Sequence, residues 1–62
     1  MIIQIQHLPD YNIHYRDPGG GRHVYGAVLA LDDIGNIVLS YIDEDGSVAP
    51  VSGLSNFTLI RR

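Results

Sequence analysis

Apolar and polar residues alternate along most of this chain, and the period is two rather than 3.6. In "IIQIQH" the side chains of Ile3, Ile5 and His7 fall on one face and those of Ile2, Gln4 and Gln6 on the other. In "YNIHYR" Tyr11, Ile13 and Tyr15 oppose Asn12, His14 and Arg16. Alternation of this kind predicts strands. Leu8-Pro9-Asp10, between the two runs, predicts a tight turn, because proline donates no hydrogen bond and suits one. "HVYGAVLAL" predicts a longer strand, in which Gly26 signals a bulge, a bend or a close neighbouring backbone. Asp32-Asp33-Ile34-Gly35-Asn36 has hairpin-loop chemistry, and the β-branched and aromatic "IVLSYI" returns from it as a strand. Asp43-Glu44-Asp45-Gly46 predicts the next hairpin turn. A short strand, "SVAPV", follows, and Pro50 confines it to an edge or a bulge. "SGLSN" (Ser52 to Asn56) predicts one 3₁₀ turn before a last strand, "FTLIR". No long helical period, internal repeat or low-complexity segment is read beyond the glycine run.

Five or six short strands in a single domain covering residues 1–62 predict an all-β fold. The expected form is a small five- to six-stranded barrel or a strongly bent antiparallel sheet, with one short 3₁₀ turn. Closure would remove exposed edges. The period places Ile3, Ile5, Ile13 and Val28 in the core, together with Leu39, Tyr41, Val51 and Leu59.

From Val24 to Ile60 the chain reads Gly26-x-Val28, Asp33-x-Gly35, then Tyr41-x-Asp43-x-Asp45-Gly46, a short strand, a 3₁₀-like turn and a final strand. This layout resembles the SH3-like small barrels, including Tudor-type and KOW-type modules and the plasmid-type dihydrofolate reductase. Tudor-type modules hold methylated cations in aromatic cages. For such a cage the chain offers Tyr11, Tyr15, Tyr25, Tyr41 and Phe57, with Asp43 or Asp45 as counter-charge. Only Tyr41 followed by Asp43 matches a Tudor-like position, and aromatics filling a thin core are the stronger reading. The reductase uses a Val-Gln-Ile-Tyr strand and a lysine. Here the matching strand is Val48-Ala49-Pro50-Val51 and lysine is absent, so that activity does not carry over.

Composition narrows the function classes. With 62 residues the core is thin, and 45% apolar residues exceed what one small core can cover. A core this small supplies about 3–5 kcal/mol unless something else stabilises the fold. Cysteine is absent, which removes disulfides and thiolate metal sites, and self-association is the remaining route. A homo-oligomer is therefore expected. The net charge of −3 argues against a nucleic-acid partner, whose binding rests on basic excess. "MIIQIQHLPD" lacks a basic start and reaches a proline early, unlike a signal peptide. No apolar run approaches membrane-spanning length, and a soluble, cytoplasmic protein is expected.

The candidate chemistry centres on "YRDPGGGRHVYG". Gly19 and Gly21 match the first two glycines of a dinucleotide fingerprint, but Val24 occupies the third position, and a strand pattern follows where a helix is needed. A P-loop requires a lysine. The run thus predicts a hairpin tip, with Arg16, Arg22 and His23 beside it able to engage an anion. His7, His14 and His23 lack zinc-type spacing, and no metal site is expected. The acidic turns lack both the ligand pattern and the helices of a calcium loop. At one end of the sheet they would form a negative patch for a basic partner. No nucleophile motif or shielded carboxylate pair occurs, and no cofactor is expected.

Two function classes follow. The first is a non-enzymatic protein-interaction module acting as a homo-oligomer. Small acidic chains without cysteine include inhibitors of host systems encoded by phages and mobile elements. The second is a protein that binds or sequesters a nucleotide or other anion through Arg16, Arg22 and His23. An enzyme ranks behind both. In either class binding is expected through residues 16–25, with Arg16, Arg22, His23 and Tyr25 contributing most, since guanidinium and aromatic groups are enriched at hot spots.

Overall fold

A computed structural model describes residues 1–62. Five strands form one antiparallel sheet: β1 (Ile2–Arg16), β2 (Arg22–Asp32), β3 (Ile37–Ile42), β4 (Val48–Pro50) and β5 (Phe57–Arg61). Their spatial order is β4-β3-β2-β1-β5. The first four strands make a meander, and β5 returns to pair with the far side of β1. β4 and β5 do not pair, so the sheet is bent and open rather than a closed barrel. A 3₁₀ turn occupies Val51–Gly53, earlier than Ser52 to Asn56, because it starts directly after Pro50 releases the edge strand.

Leu8-Pro9-Asp10 is not a turn. β1 runs straight through it, and the surplus chain is taken up as an irregularity. His7 stands opposite Val28 and Asn12 opposite Gly26, so residues 8–11 face Ala27 alone. Pro9 is tolerated there because a bulge leaves residues without a ladder hydrogen bond to make. Gly26 sits beside this irregularity, and nothing lies near enough to crowd a Cβ at its position.

The three hairpin connections share one frame. In each, an aspartate N–H donates to the carbonyl four residues on: Asp17 to Gly21 (2.9 Å), Asp32 to Asn36 (3.0 Å) and Asp43 to Ser47 (2.7 Å). In each, the glycine three residues after the aspartate has φ near +90°, namely Gly20, Gly35 and Gly46. That geometry is a type I turn closed by a left-handed residue, which glycine adopts without steric cost. A motif Asp-x-x-Gly thus recurs three times.

Directly opposed residues share a face of the sheet. On one face Ile13, Ala27 and Val51 form the core, with Leu8, Tyr11, Tyr25, Leu39, Tyr41 and Leu54 packed around them. On the other, Val28, Ala30 and Ser40 are buried, and the Ser40 hydroxyl donates to the Val38 carbonyl at 3.1 Å. Only six of 62 residues are buried. The expected core members Ile13, Val28 and Val51 are buried, and Leu39 and Tyr41 pack against the core. Ile3, Ile5 and Leu59 are instead exposed, at 61%, 41% and 42%. Ile3 is an extra residue between the pairs Ile2–Asp32 and Gln4–Leu31, which moves Ile2 to the face of Ile5. Ile5 lies on the open flank of β1, which β5 does not reach, and Leu59 lies on an edge strand. The molecule exposes 4319 Å², against roughly 4,000 Å² for a typical folded chain of its mass.

Candidate functional site

The strand ends flanking the Gly19–Gly21 loop place the candidate residues on two faces. β1 and β2 pair as Arg16–Arg22, Tyr15–His23, His14–Val24 and Ile13–Tyr25. Alternation therefore puts Arg16 and Arg22 on one face with His14 and Val24, and His23 and Tyr25 on the other with Tyr15 and Ile13. The four residues sit together along the chain but act on opposite sides.

On the second of these faces the aromatic rings form a ladder. Tyr15 and His23 lie 5.8 Å apart between centroids, His23 and Tyr25 5.9 Å with planes parallel to 1°, and Tyr25 and Tyr41 4.8 Å. These are offset arrangements within the favourable range for aromatic pairs. The imidazole sits between two carboxylates. Its Nε2 meets Asp17 Oδ2 at 2.8 Å, and its Nδ1 faces Glu44 Oε1 at 3.5 Å. Asp17 Oδ1 accepts the Gly21 N–H at 2.9 Å. Of the aromatics read as a cage, Tyr15, Tyr25 and Tyr41 thus form a stack, with His23 as its fourth ring.

The glycine loop is a hydrogen-bonded hairpin tip. A carboxylate already takes the Gly21 N–H, and its charge repels an anion from the loop interior. The tip is tied down by the Asp17–Gly21 backbone bond, the Gly20 N–H to the Asp17 carbonyl and the Asp17–His23 contact.

The Asp17 hydrogen bond raises the His23 pKa above the ordinary 6.5, and burial opposes it only in part. The same bond, followed by the Gly21 N–H, lowers Asp17 below the ordinary 3.8. For Tyr25, burial comes first and the charges of Glu44 and Asp43 second, and both push its hydroxyl upward. A raised histidine contributes stability in full below 6.5, and that contribution fades as pH climbs through its raised value. A depressed aspartate contributes above 3.8 and fails as pH falls through its lowered value. The pair is therefore strongest between those two ordinary values. Thermal melts of the parent chain should show a lower midpoint at pH 8 than at about pH 6, and Asp17→Asn should flatten that difference. An equal drop in the variant would show that the pair is not the cause.

The arginine face differs in character. Arg16 and Arg22 are directly opposite, and neither forms an ion pair with a carboxylate. Like charges in register repel. With His14, Val24, Asn56 and Thr58 they line an open depression of about 480 Å³, against which Tyr15 and His23 also lie. Asn56 adopts a left-handed φ of 57°, which asparagine tolerates better than most residues. Arg62 Nε donates to Asn12 Oδ1 at 2.8 Å, further along β1. His14 and His23 point to opposite faces, and His7 lies beyond the β1 irregularity, so the three histidines do not converge. No helix is long and apolar enough to cross a membrane.

Comparison with known proteins finds no family model, no curated protein and no solved structure that matches the chain. Sequence reasoning singled out the arginines but not Asp17. The signal was there: Asp17 occupies the turn position of Asp32 and Asp43, and His23 is the second residue after that turn.

Proposed function

We propose that this chain is a non-enzymatic protein-interaction module whose arginine face docks an acidic segment of a protein partner. The carrying observation is the in-register pair Arg16–Arg22, which has no counter-charge of its own and borders an open depression. Two guanidinium groups flanking the exposed Val24 combine charge-assisted donors with apolar contact area. The tied loop and the ring ladder behind it hold both strands in register, so few degrees of freedom are lost on docking. The resemblance of the sequence from Val24 to Ile60 to SH3-like modules of the Tudor and KOW types accords with a binding role. The same groups also suit a smaller ligand, a nucleotide or other free anion, and the depression favours that as the second reading.

Titration calorimetry with a glutamate-rich peptide, and separately with pyrophosphate, distinguishes the two. The peptide is expected to bind with salt-sensitive affinity and to lose about tenfold in Arg22→Ala, as one charge-assisted bond implies. Pyrophosphate binding as tightly as the peptide would favour the second reading. Absence of heat from both, or full affinity in Arg22→Ala, would overturn the role of this face.

A further inference from the structure

The outer edge of β1 is open over its first half. β5 pairs with β1 only from Tyr11 to Tyr15, and β1 has no neighbour but β2 before that point. In an antiparallel ladder alternate residues turn their N–H and C=O groups away from the existing partner. This length therefore presents a row of unmet backbone donors and acceptors, which is a template for another strand. The two outermost strands are guarded, and β3 is open only over the three residues Ile37–Leu39. β4 is three residues long and ends in Pro50, and the five-residue β5 carries Arg61. Residues 2–8, "IIQIQHL", contain no acidic residue, lysine, arginine or proline, the residues that usually blunt an edge. Ile2, Ile3 and Ile5 are all exposed there.

We propose that this edge is a self-recognition site, paired antiparallel with the β1 edge of a second copy across a two-fold axis at Ile5. The occupant follows from the residues themselves. A two-fold interface must be self-complementary, each contact occurring twice. In this register Ile5 meets Ile5 of the second copy, and Gln4 meets Gln6 of the second copy on the opposite face. Isoleucine stacks on isoleucine, and the paired amides exchange hydrogen bonds. The two five-stranded sheets become one continuous sheet. The site lies at the opposite end of β1 from Arg16 and stands independently of the arginine pair.

Sedimentation equilibrium of the full chain at high micromolar concentration tests the pairing. The expected mass is twice the 6.8 kDa of one chain, falling to a single chain in Ile5→Lys with unchanged circular dichroism. Because the parent lacks cysteine, Ile5→Cys supplies a probe that reads the contact without adding charge. Opposed residues in such a ladder lie about 5.5 Å apart, within disulfide reach. Mild oxidation should crosslink Ile5→Cys rapidly and leave Ser47→Cys, in the β3–β4 turn, unlinked. A monomeric parent, a dimer that survives Ile5→Lys, or equal crosslinking of the two cysteine variants would overturn the proposal.

Discussion

Replacing Ile13 by alanine is expected to leave the chain largely unfolded at room temperature. Ile13 is fully buried, faces Tyr25 on β2 and Leu59 on β5, and joins Ala27 and Val51 in the core. Truncating an isoleucine to alanine in such a place costs about 2–5 kcal/mol, part lost transfer and part cavity. A single core of this size supplies about 3–5 kcal/mol in total. The loss therefore takes most of the available stability, and no other cluster compensates. Ile13→Val removes one methylene, costs about 0.5–1.5 kcal/mol and should remain folded. Far-UV circular dichroism and a thermal melt of the two variants decide the matter. An alanine variant melting within a few degrees of the parent would show that the sheet's stability resides elsewhere, the β1 edge included.

Gly21→Ala should lower the melting midpoint by several degrees, on the order of 5 °C. A Cβ at residue 21 would stand 2.7 Å from Asp17 Oδ2, closer than real contacts allow. The aspartate cannot swing aside without loss, because one oxygen holds the Gly21 N–H and the other holds His23. At Gly19 the nearest approach is 3.3 Å to Oδ1, so alanine there demands less of its neighbour. In an Asp17→Ala background the obstruction is gone, and the further effect of Gly21→Ala should largely disappear, the signature of coupled neighbours. Equal losses in both backgrounds would mean that the glycine serves the backbone and not the carboxylate.

The strands were legible because alternation and turn chemistry agree locally: the last strand is found at "FTLIR" and the hairpin turns sit where Asp-x-x-Gly occurs. Leu8-Pro9-Asp10 misled because proline signals an interruption of the ladder, and a bulge interrupts it as well as a turn does. Which face of β1 was covered could not be read, since the irregularity at residues 8–11 puts Ile5 and His7 on the face of Asn12 and His14 and not on that of Ile13. The arginines and His23 were visible as residue types. Their division between two faces was equally implicit in the spacing of 16, 22, 23 and 25 once β1 and β2 were paired. The His23–Asp17 contact required the turn to be known, because only that geometry folds the carboxylate back over the following strand.

The meander also sets the order in which the chain can assemble. Each Asp-x-x-Gly turn joins strands through a short loop, so the β1–β2, β2–β3 and β3–β4 pairings grow outward from contacts near in sequence. Such closures cost little chain entropy. The pairing of β5 with β1 is of another kind, for it joins opposite ends of the chain. It becomes favourable only once β1 is already in place, and contacts of that separation govern folding speed. Until β5 arrives, the Tyr11–Tyr15 flank of β1 is bare as well, and the nascent sheet carries two open lengths along β1, one on each side of the irregularity at Pro9.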